Sequence, residues 1–228
     1  MTLSVVARCP DSGMLGVAAV TGTPGVGKLL TWAQAGVGAV ATQGWINPYL
    51  GIDAVALMGN GHPANRALQA VVSLDDDAGL RQVGAVDAHG AVATHTGDRC
   101  SGWAGHRTGP GYTVQGNLLE GPGAVDAAAD TVEASVGTPL VERLSDALQA
   151  AVDAGGDRRG HHSATVLVVD TEQYPLWDVR VDEHPEPLAE LRRLIARFEE
   201  TLLPQIRKLP TRRNIRGQLS SDTEQGLV

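Results

Sequence analysis

The sequence predicts an α+β fold, with mostly antiparallel sheets and helices that are segregated from them. Three observations lead to this prediction. Apolar residues alternate with others on both sides of a tight turn near the N-terminus, and a second hairpin pattern occupies residues 82–97. Helical patterns occur in pairs between groups of strands. Hairpins join antiparallel strands, whereas parallel strands need a longer crossover connection, so mostly antiparallel pairing is expected.

The first element is a hairpin at the N-terminus. Residues 2–8 alternate as a strand does, with Leu3, Val5 and Ala7 on one face and Thr2, Ser4, Val6 and Arg8 on the other. Residues 9–13 (CPDSG) are predicted as the turn, since proline suits its first position and glycine tolerates a positive φ. Residues 14–21 return as a second strand. The segment 36–43, bounded by glycines, is short enough to be a third.

The middle of the chain combines helices with a hairpin. Residues 51–58 and 63–73 have the compact apolar pattern of helices, and NGHP supplies the break between them. Residues 82–97 are predicted as a strand, a DAHG turn and a second strand. Residues 98–122 are rich in glycine and give few regular signals, so short strands and loops are expected there.

The C-terminal part returns to helices, then strands, then a helix. Two helices are predicted near 123–136 and 138–154, the second opening with a Thr-Pro pair that suits a helix start. Two strands at 163–170 and 176–184 and an amphipathic helix at 187–203 follow. We assign residues 1–203 to a single domain and 204–228 to a basic C-terminal tail, which is expected to be frayed or packed on a partner.

Composition limits the classes of function. The 228 residues include 18 Lys and Arg against 26 acidic residues, a net charge of −8, which argues against nucleic acid or an anionic membrane surface as a partner. The sequence has no apolar run of the roughly 18–20 residues that a membrane span needs, and no basic leader followed by an apolar stretch. We therefore expect a cytoplasmic protein.

One stretch resembles a nucleotide-binding loop. In GTPGVGKLLT at residues 22–31, Gly22, Gly27 and Lys28 fall on the G-x-x-x-x-G-K pattern. The next position should carry a hydroxyl for magnesium, but it is Leu29. After Lys28 the pattern predicts a helix of only about two turns at residues 29–35, ended by glycines. VLVVD at 166–170 has the look of a magnesium-binding strand, so a P-loop nucleotide binder remains a remote alternative.

Metal and disulfide chemistry have little support in the sequence. Cys9 and Cys100 are far apart and belong to no C-x-x-C pair, so free thiols are expected. None of the seven histidines stands at the H-x-x-x-H spacing of a helical metal site. We therefore predict neither a metal nor another cofactor.

The N-terminus has a chemical meaning of its own. Methionine aminopeptidase removes an initiator methionine when the next side chain is small, and Thr2 qualifies. Removal of Met1 would leave a threonine with a free α-amine beside its own hydroxyl, a nucleophile and base in one residue. An α-amine titrates near pH 7.7–8.0, so a useful fraction can accept the hydroxyl proton at neutral pH.

Several blocks carry a resemblance to a known family. They are MTLSVVARCPDSGMLGVAAV, AGVGAVATQ, NPYLG, VDAHGAVATHTG, WAGHRTGPGYTVQGNLLEGP, AGGDRRGHHSA and RVDEHPEPLAELRRL. In this order they resemble the bacterial family catalogued as domain of unknown function 1028, over about residues 1–200. That family is similar to the N-terminal-nucleophile (Ntn) hydrolases. The resemblance implies a four-layer αββα sandwich, with two antiparallel sheets packed face to face between helix layers.

The resemblance also implies roles for individual residues. Thr2 would attack an amide carbonyl, with its own α-amine as general base. Ser4, on the same strand face, is the fallback nucleophile, though it has no adjacent base. Asn47, Gln115 and Asn117 are amides that can donate to an oxyanion or hold a substrate carbonyl, or that stabilise turns.

Two further blocks offer polar groups for a substrate. His106 in the WAGH block is a substrate-binding or proton-shuttling group, or else a structural histidine. In GGDRRG, Asp157, Arg158 and Arg159 combine an acid with two guanidinium groups; an arginine there would bind a substrate carboxylate, or the acid would pair with it internally.

Three functions are compatible with the sequence. The leading hypothesis is a metal-independent amidohydrolase that cleaves a C–N bond of a small molecule, for which a carboxylated amide or ureide is one candidate, with Thr2 as nucleophile. The second is a non-catalytic sandwich that binds a small metabolite or a protein partner. The third is the P-loop nucleotide binder. The apolar final helix and the glycine-rich domain favour a homodimer.

Overall fold

Two antiparallel sheets lie face to face in the computed structural model, which describes residues 2–155 and 160–218. Within these ranges the strands are β1 Thr2–Arg8, β2 Leu15–Thr21, β3 Thr31–Gln34, β4 Gly38–Gly44, β5 Arg81–Asp87, β6 Val92–Thr96, β7 Trp103–Gly109, β8 Tyr112–Leu119, β9 Ser163–Val169 and β10 Trp177–Val181. The helices are α1 Gly27–Leu30, α2 Pro48–Gly59, α3 Ala64–Ser73, α4 Gly123–Ala134, α5 Leu140–Asp153, α6 Pro187–Thr201 and α7 Leu203–Ile206, with a 3₁₀ turn at Ala78–Leu80.

The larger sheet places the N-terminal strand at its centre. Its order is β10-β9-β2-β1-β8-β7, and the smaller sheet has the order β3-β4-β5-β6. All pairings are antiparallel. Thr2, the first residue of β1, lies opposite Thr21 on one side and opposite Asn117 on the other.

Alternation along the strands sorts side chains into three apolar cores. On the outer face of the larger sheet, Leu3 and Val5 pack with residues of α4, α5 and α6. Between the sheets, Val6 packs with Val17, Ala39 and other small residues. On the outer face of the smaller sheet, residues of β4 and β5 pack with α2 and α3. The protein is therefore a four-layer αββα sandwich, which confirms the expected fold class.

The glycine-rich stretch 98–122 is more regular than the sequence predicts. It contains two long strands, β7 and β8, and β8 pairs directly with β1. The strand pattern is not visible in the sequence because glycines interrupt it. Two of these glycines are needed because an aromatic ring packs directly on the backbone there. A Cβ on Gly105 would lie 2.5 Å from the ring of Trp103, and one on Gly109 would lie 2.2 Å from the ring of Tyr112. Glycine in a strand interior often marks such a close approach.

A second correction concerns residues 29–35, for which the sequence predicts about two turns of helix. Helix α1 ends at Leu30, and Thr31–Gln34 form the edge strand β3, paired with β4. Residues 31–34 form a strand because they pair with the apolar strand β4. This tertiary contact overrides a weak local preference for helix.

The described part of the tail lies against the loop between β9 and β10. Tyr174 Oη donates to the carbonyl of Pro210 at 3.1 Å, and Arg212 Nη2 donates to Gln173 Oε1 at 2.8 Å. The last residues of the predicted tail, 219–228, lie outside the described ranges. Within those ranges no helix combines the length and apolar character that a bilayer span requires.

Candidate active site

Thr2, the first residue of β1, lies at one end of the space between the two sheets. Thr2 Oγ1 is 3.0 Å from Thr21 Oγ1 on the neighbouring strand β2. The backbone N–H of Thr23 donates to the same Thr21 oxygen at 3.3 Å. Gln43 of the opposite sheet donates from Nε2 to the carbonyl of Thr2 at 3.3 Å. Both sheets therefore contact the first residue of β1, and Thr2 itself is half-buried.

Four carboxamides fill the inter-sheet space behind Thr2. We call them the amide cluster: Gln43, Gln82, Gln115 and Asn117, all at most 4% exposed. Gln82 is at its centre. Its Oε1 accepts from Gln43 Nε2 at 2.8 Å and from Asn117 Nδ2 at 3.1 Å. Its Nε2 donates to the carbonyl of Gly116 at 2.9 Å. Buried amides need such partners, because an unpaired one costs free energy.

Because side chains alternate along a strand, the sequence determines that these amides point into the space between the sheets. A glycine in the facing sheet makes room for one of them. Gln115 lies opposite Ser4 in the β1–β8 register. A Cβ on Gly84, in the facing sheet, would lie 2.2 Å from Gln115 Oε1. Any side chain at position 84 would therefore displace the Gln115 carboxamide.

Ser4 shares the inter-sheet face with Thr2 but differs from it in access. It is fully buried, and its Oγ accepts from Gln115 Nε2 at 2.6 Å. Thr113 donates in turn to Gln115 Oε1 at 2.9 Å. The Ser4 hydroxyl is thus part of an internal hydrogen-bond chain, and substrate has no direct access to it.

His106 reaches the amide cluster through one hydroxyl. Its Nδ1 lies 2.9 Å from Thr96 Oγ1, which also accepts from Gln82 Nε2 at 3.1 Å. Partial burial, together with the nearby His95, lowers the pKa of His106 below its ordinary value. A neutral His106 with Nδ1 as acceptor suits this arrangement, because the Thr96 proton then has a partner. The histidine lies at the edge of the cluster, two hydrogen bonds from its centre.

Asn47 occupies a different place from the other predicted amides. Its Oδ1 accepts from the backbone N–H of Tyr49 at 3.1 Å and caps the N-terminus of α2. Its Nδ2 donates to Asp75 Oδ2 at 2.8 Å. Asp75 is in turn paired with Arg81 at 2.9 Å, and these hydrogen bonds lower the pKa of Asp75 to about 2. The structure does not bring the Asn47 side chain into contact with the amide cluster.

Asp157 and Arg159 lie outside the described residues. The strand that follows them, β9, begins at Ser163, opposite Thr21. The backbone N–H of His162 donates to the Thr21 carbonyl at 2.9 Å. The expected contact of Asp157 and Arg159 with a substrate stays a prediction.

Residues 22–31 do not form a P-loop. Helix α1 has four residues and leads into an antiparallel edge strand, and Lys28 is exposed. Gly27 is explained by packing, since a Cβ there would lie 2.9 Å from Thr165 Cβ. A phosphate-binding P-loop instead joins a strand to a long helix that begins at the phosphates.

Three residues of the site were missed from the sequence: Thr21, Gln43 and Gln82. Each is a polar residue at or near one end of its strand, with its side chain buried between the sheets. That signal exists in the sequence, but it indicates a site only when the strand ends are known to meet.

Two unusual residues lie beside the cluster in the chain. Leu118, directly after Asn117, has a φ of 55° and is 42% exposed, a strained conformation for leucine. Trp45, two residues after Gln43, is 73% exposed. Strained residues concentrate at functional sites, and Leu118 adjoins Asn117 of the cluster in the chain.

The described residues include no group that could bind a metal ion. No three His, Cys, Asp or Glu residues among them converge in the way a metal site needs. Cys9 and Cys100 are both free thiols and are half-buried.

Comparisons with known proteins agree with this architecture. The model of the "Family of unknown function (DUF1028)" matches residues 2–191. A DUF1028 crystal structure, protein SPO2555 from Silicibacter pomeroyi, has 27% sequence identity and a TM-score of 0.88, over 96% of this chain and 99% of that chain.

Two more distant structures are Anbu (ancestral beta-subunit) proteins. The protein from Yersinia bercovieri has 14% identity and a TM-score of 0.39, over 89% of this chain and 97% of that chain. A Gly-1 mutant from Hyphomicrobium sp. strain MC1 has 14% identity and a TM-score of 0.43, over 92% and 98%. No curated protein matches the chain. Because the family model covers most of the sequence, the chain belongs to the DUF1028 family.

Proposed function

We propose that the protein hydrolyses a C–N bond of a small molecule, with Thr2 as an N-terminal nucleophile after removal of Met1. The observation that carries this proposal is the geometry of Thr2. It begins the central strand of an αββα sandwich, it is half-buried, and its hydroxyl contacts a second hydroxyl beside a buried cluster of amides.

The proposed reaction uses one residue as nucleophile and base. The free α-amine of Thr2 takes the proton from Oγ1 while that oxygen attacks the substrate carbonyl carbon. The resulting ammonium gives its proton to the leaving nitrogen as the C–N bond breaks, which leaves an ester on Thr2. Water then attacks the ester with the amine as base. The proton returns to Oγ1 when the acid product leaves.

Neighbouring groups supply orientation and charge stabilisation in this scheme. Thr21 Oγ1, at 3.0 Å, orients the Thr2 hydroxyl. Gln43 fixes the strand end through the Thr2 carbonyl. Asn117 lies opposite Thr2 and gives one Nδ2 hydrogen to Gln82, so its second hydrogen is the candidate donor to the oxyanion. Gln115, by contrast, is committed to Ser4 and acts as structural support.

The same groups support a substrate class. The described neighbours of Thr2 are hydroxyls and neutral amides, which suit a neutral carbonyl group such as an amide or a ureide. Preference for a carboxylated substrate rests on Arg159 and is a separate expectation.

An acylating probe tests the proposal without knowledge of the substrate. Intact mass of the untagged protein first reports whether Met1 is removed. A β-lactone is then expected to acylate Thr2, seen as one mass addition on the N-terminal peptide. Thr2→Ala should abolish the addition, and Ser4→Ala, as the matched control, should keep it. Unchanged labelling of Thr2→Ala, or a retained Met1 in a labelled protein, would contradict the mechanism.

A non-catalytic binding protein is the second candidate, and one observation favours it. The amides behind Thr2 hydrogen-bond mainly to each other and to backbone, as a structural network does. On this alternative, no acyl adduct forms on Thr2, and Thr2→Ala binds its ligand as well as the wild-type protein does.

A further inference from the structure

The outer face of helix α2 is apolar, which is unusual for a helix in an outer layer. One side of α2 packs on the smaller sheet through Leu50, Ala54 and Met58. The other side exposes Tyr49 at 68% and Ile52 at 38%. Asp53 is the single charged residue in the helix. A surface helix ordinarily has a polar outer face, and one that is apolar all round is usually covered on both sides.

Two hollows flank this face. The first, which we call the α2–α3 groove, has a volume of about 650 Å³ and is lined by Tyr49, Leu74, Asp53 and Asp76, among others. Leu74 is 86% exposed there. The second hollow, of about 450 Å³, lies on the opposite side of α2 and includes Ile52 and Gln173. Ala56 lines both, so α2 separates them.

A basic segment is anchored beside the second hollow. Residues 212–216 (RRNIR) are all exposed and contain three arginines and no acid. Arg212 anchors them through Gln173 Oε1 at 2.8 Å and through its backbone N–H to Glu172 Oε2 at 3.2 Å. Ile215 is 83% exposed. The segment thus presents cations around an apolar side chain, and the α2–α3 groove presents acids around apolar side chains.

We propose that a second copy of this chain covers the outer face of α2, with its residues 212–216 in the α2–α3 groove. A twofold axis that runs along the outer face of α2, parallel to the helix, sets each side of the helix in one copy against the opposite side in the other. It therefore brings the basic segment of each copy to the acidic groove of the other. Ile215 enters the groove beside Leu74, and Arg213 and Arg216 meet Asp53 and Asp76.

Charge argues for this occupant. The chain carries a net charge of −8, so two copies repel each other unless their contact joins opposite charges. The pairing of segment and groove does so twice, once on each side of the axis. Asp75, also in the groove, is already paired with Arg81, which leaves Asp53 and Asp76 for the partner.

The mass of the full-length protein in solution tests the proposal. Light scattering after gel filtration is expected to give twice the chain mass of 23.8 kDa. Ile52→Glu should give the monomer. Val136→Glu is the matched control, because Val136 is 56% exposed and follows α4 in the opposite helix layer; this variant should remain a dimer.

Charge reversal makes the test specific and uses only exposed side chains. R213E/R216E and D53K/D76K should each raise the dimer dissociation constant by roughly thirtyfold, since each loses four exposed ion pairs. An equimolar mixture of the two variants should form a mixed dimer, because opposite charges meet again on both sides. A monomeric wild-type protein, an unchanged dissociation constant in both charge variants, or a mixture that fails to pair would overturn the proposal. The measurement does not depend on Thr2 chemistry.

Discussion

Replacing Gln82 with leucine is expected to destabilise the protein strongly, although the two side chains are similar in size. The Gln82 side chain has five hydrogen-bond contacts, two within its own sheet (Gln43 and Thr96) and three to the larger sheet (Gly105, Gly116 and Asn117), and its Nε2 shares two hydrogens among three acceptors. Three of them join fully buried atoms: Gln43 Nε2, Asn117 Nδ2 and the Gly116 carbonyl. The other two acceptors, Thr96 Oγ1 and the Gly105 carbonyl, are only partly buried. Water can replace Gln82 at those two.

The magnitude follows from the groups left without a partner. A buried polar group that loses its partner costs about 1–3 kcal/mol. Gln43 Nε2 keeps longer contacts to the carbonyls of Thr2 and Gln115, which reduces its share. We therefore expect Gln82→Leu to lower the free energy of unfolding by about 3–5 kcal/mol, a large part of the total for a domain.

Urea denaturation, followed by circular dichroism, measures this change. The matched control is Thr165→Val in the neighbouring sheet. Thr165 Oγ1 is buried and has no hydrogen-bond partner among the described residues. The isosteric change there removes an unpaired hydroxyl and should be neutral or should stabilise by up to about 1 kcal/mol. The two variants thus change buried polar atoms with opposite expected signs.

The reasoning would be refuted by a small effect. If Gln82→Leu costs less than about 1 kcal/mol with an unchanged m-value, the amide cluster does not hold the two sheets together. A Thr165→Val variant as unstable as Gln82→Leu would show that volume, and not hydrogen bonding, decides stability between the sheets.

Two pH-dependent predictions follow from shifted groups. Hydrogen bonds from Arg81 lower the pKa of Asp75 from 3.8 to about 2. The ionised carboxylate therefore contributes about 2 kcal/mol to the free energy of unfolding above pH 4, and this contribution is lost as the pH falls towards 2. Asp75→Asn should flatten the fall in urea midpoint between about pH 4 and pH 2, and an unchanged slope would contradict the assignment. Burial and a hydrogen bond to Glu133 raise the pKa of Tyr112 to about 12. The protonated phenol therefore stabilises the folded state below pH 10, the ordinary pKa of tyrosine in the unfolded chain. This contribution is lost as the pH rises through about 12. Ultraviolet absorbance of tyrosinate should therefore show one late-titrating tyrosine that is missing in Tyr112→Phe; a wild-type curve without a late phase would be inconsistent with this.

The sequence by itself determined the faces of the strands. In β1 the alternation assigned Leu3 and Val5 to one face and Thr2 and Ser4 to the other, and the structure has the same division. The hairpins at residues 2–21 and 82–97 and the paired helices were also predictable, because turn residues and the period of apolar residues are local properties of the sequence. Resemblance to a family added the four-layer arrangement.

Only the tertiary structure decided which strands meet. Gln43, Gln82 and Asn117 lie on three different strands, and nothing in the spacing between them indicates a shared site. They converge because one end of each of β4, β5 and β8 lies at the same edge of the sandwich as Thr2. The same packing separates Asn47 from them, since its side chain caps α2 and contacts Asp75. Partner choice between distant strands is a sum of many weak contacts, whereas a local pattern fixes only which way each side chain turns.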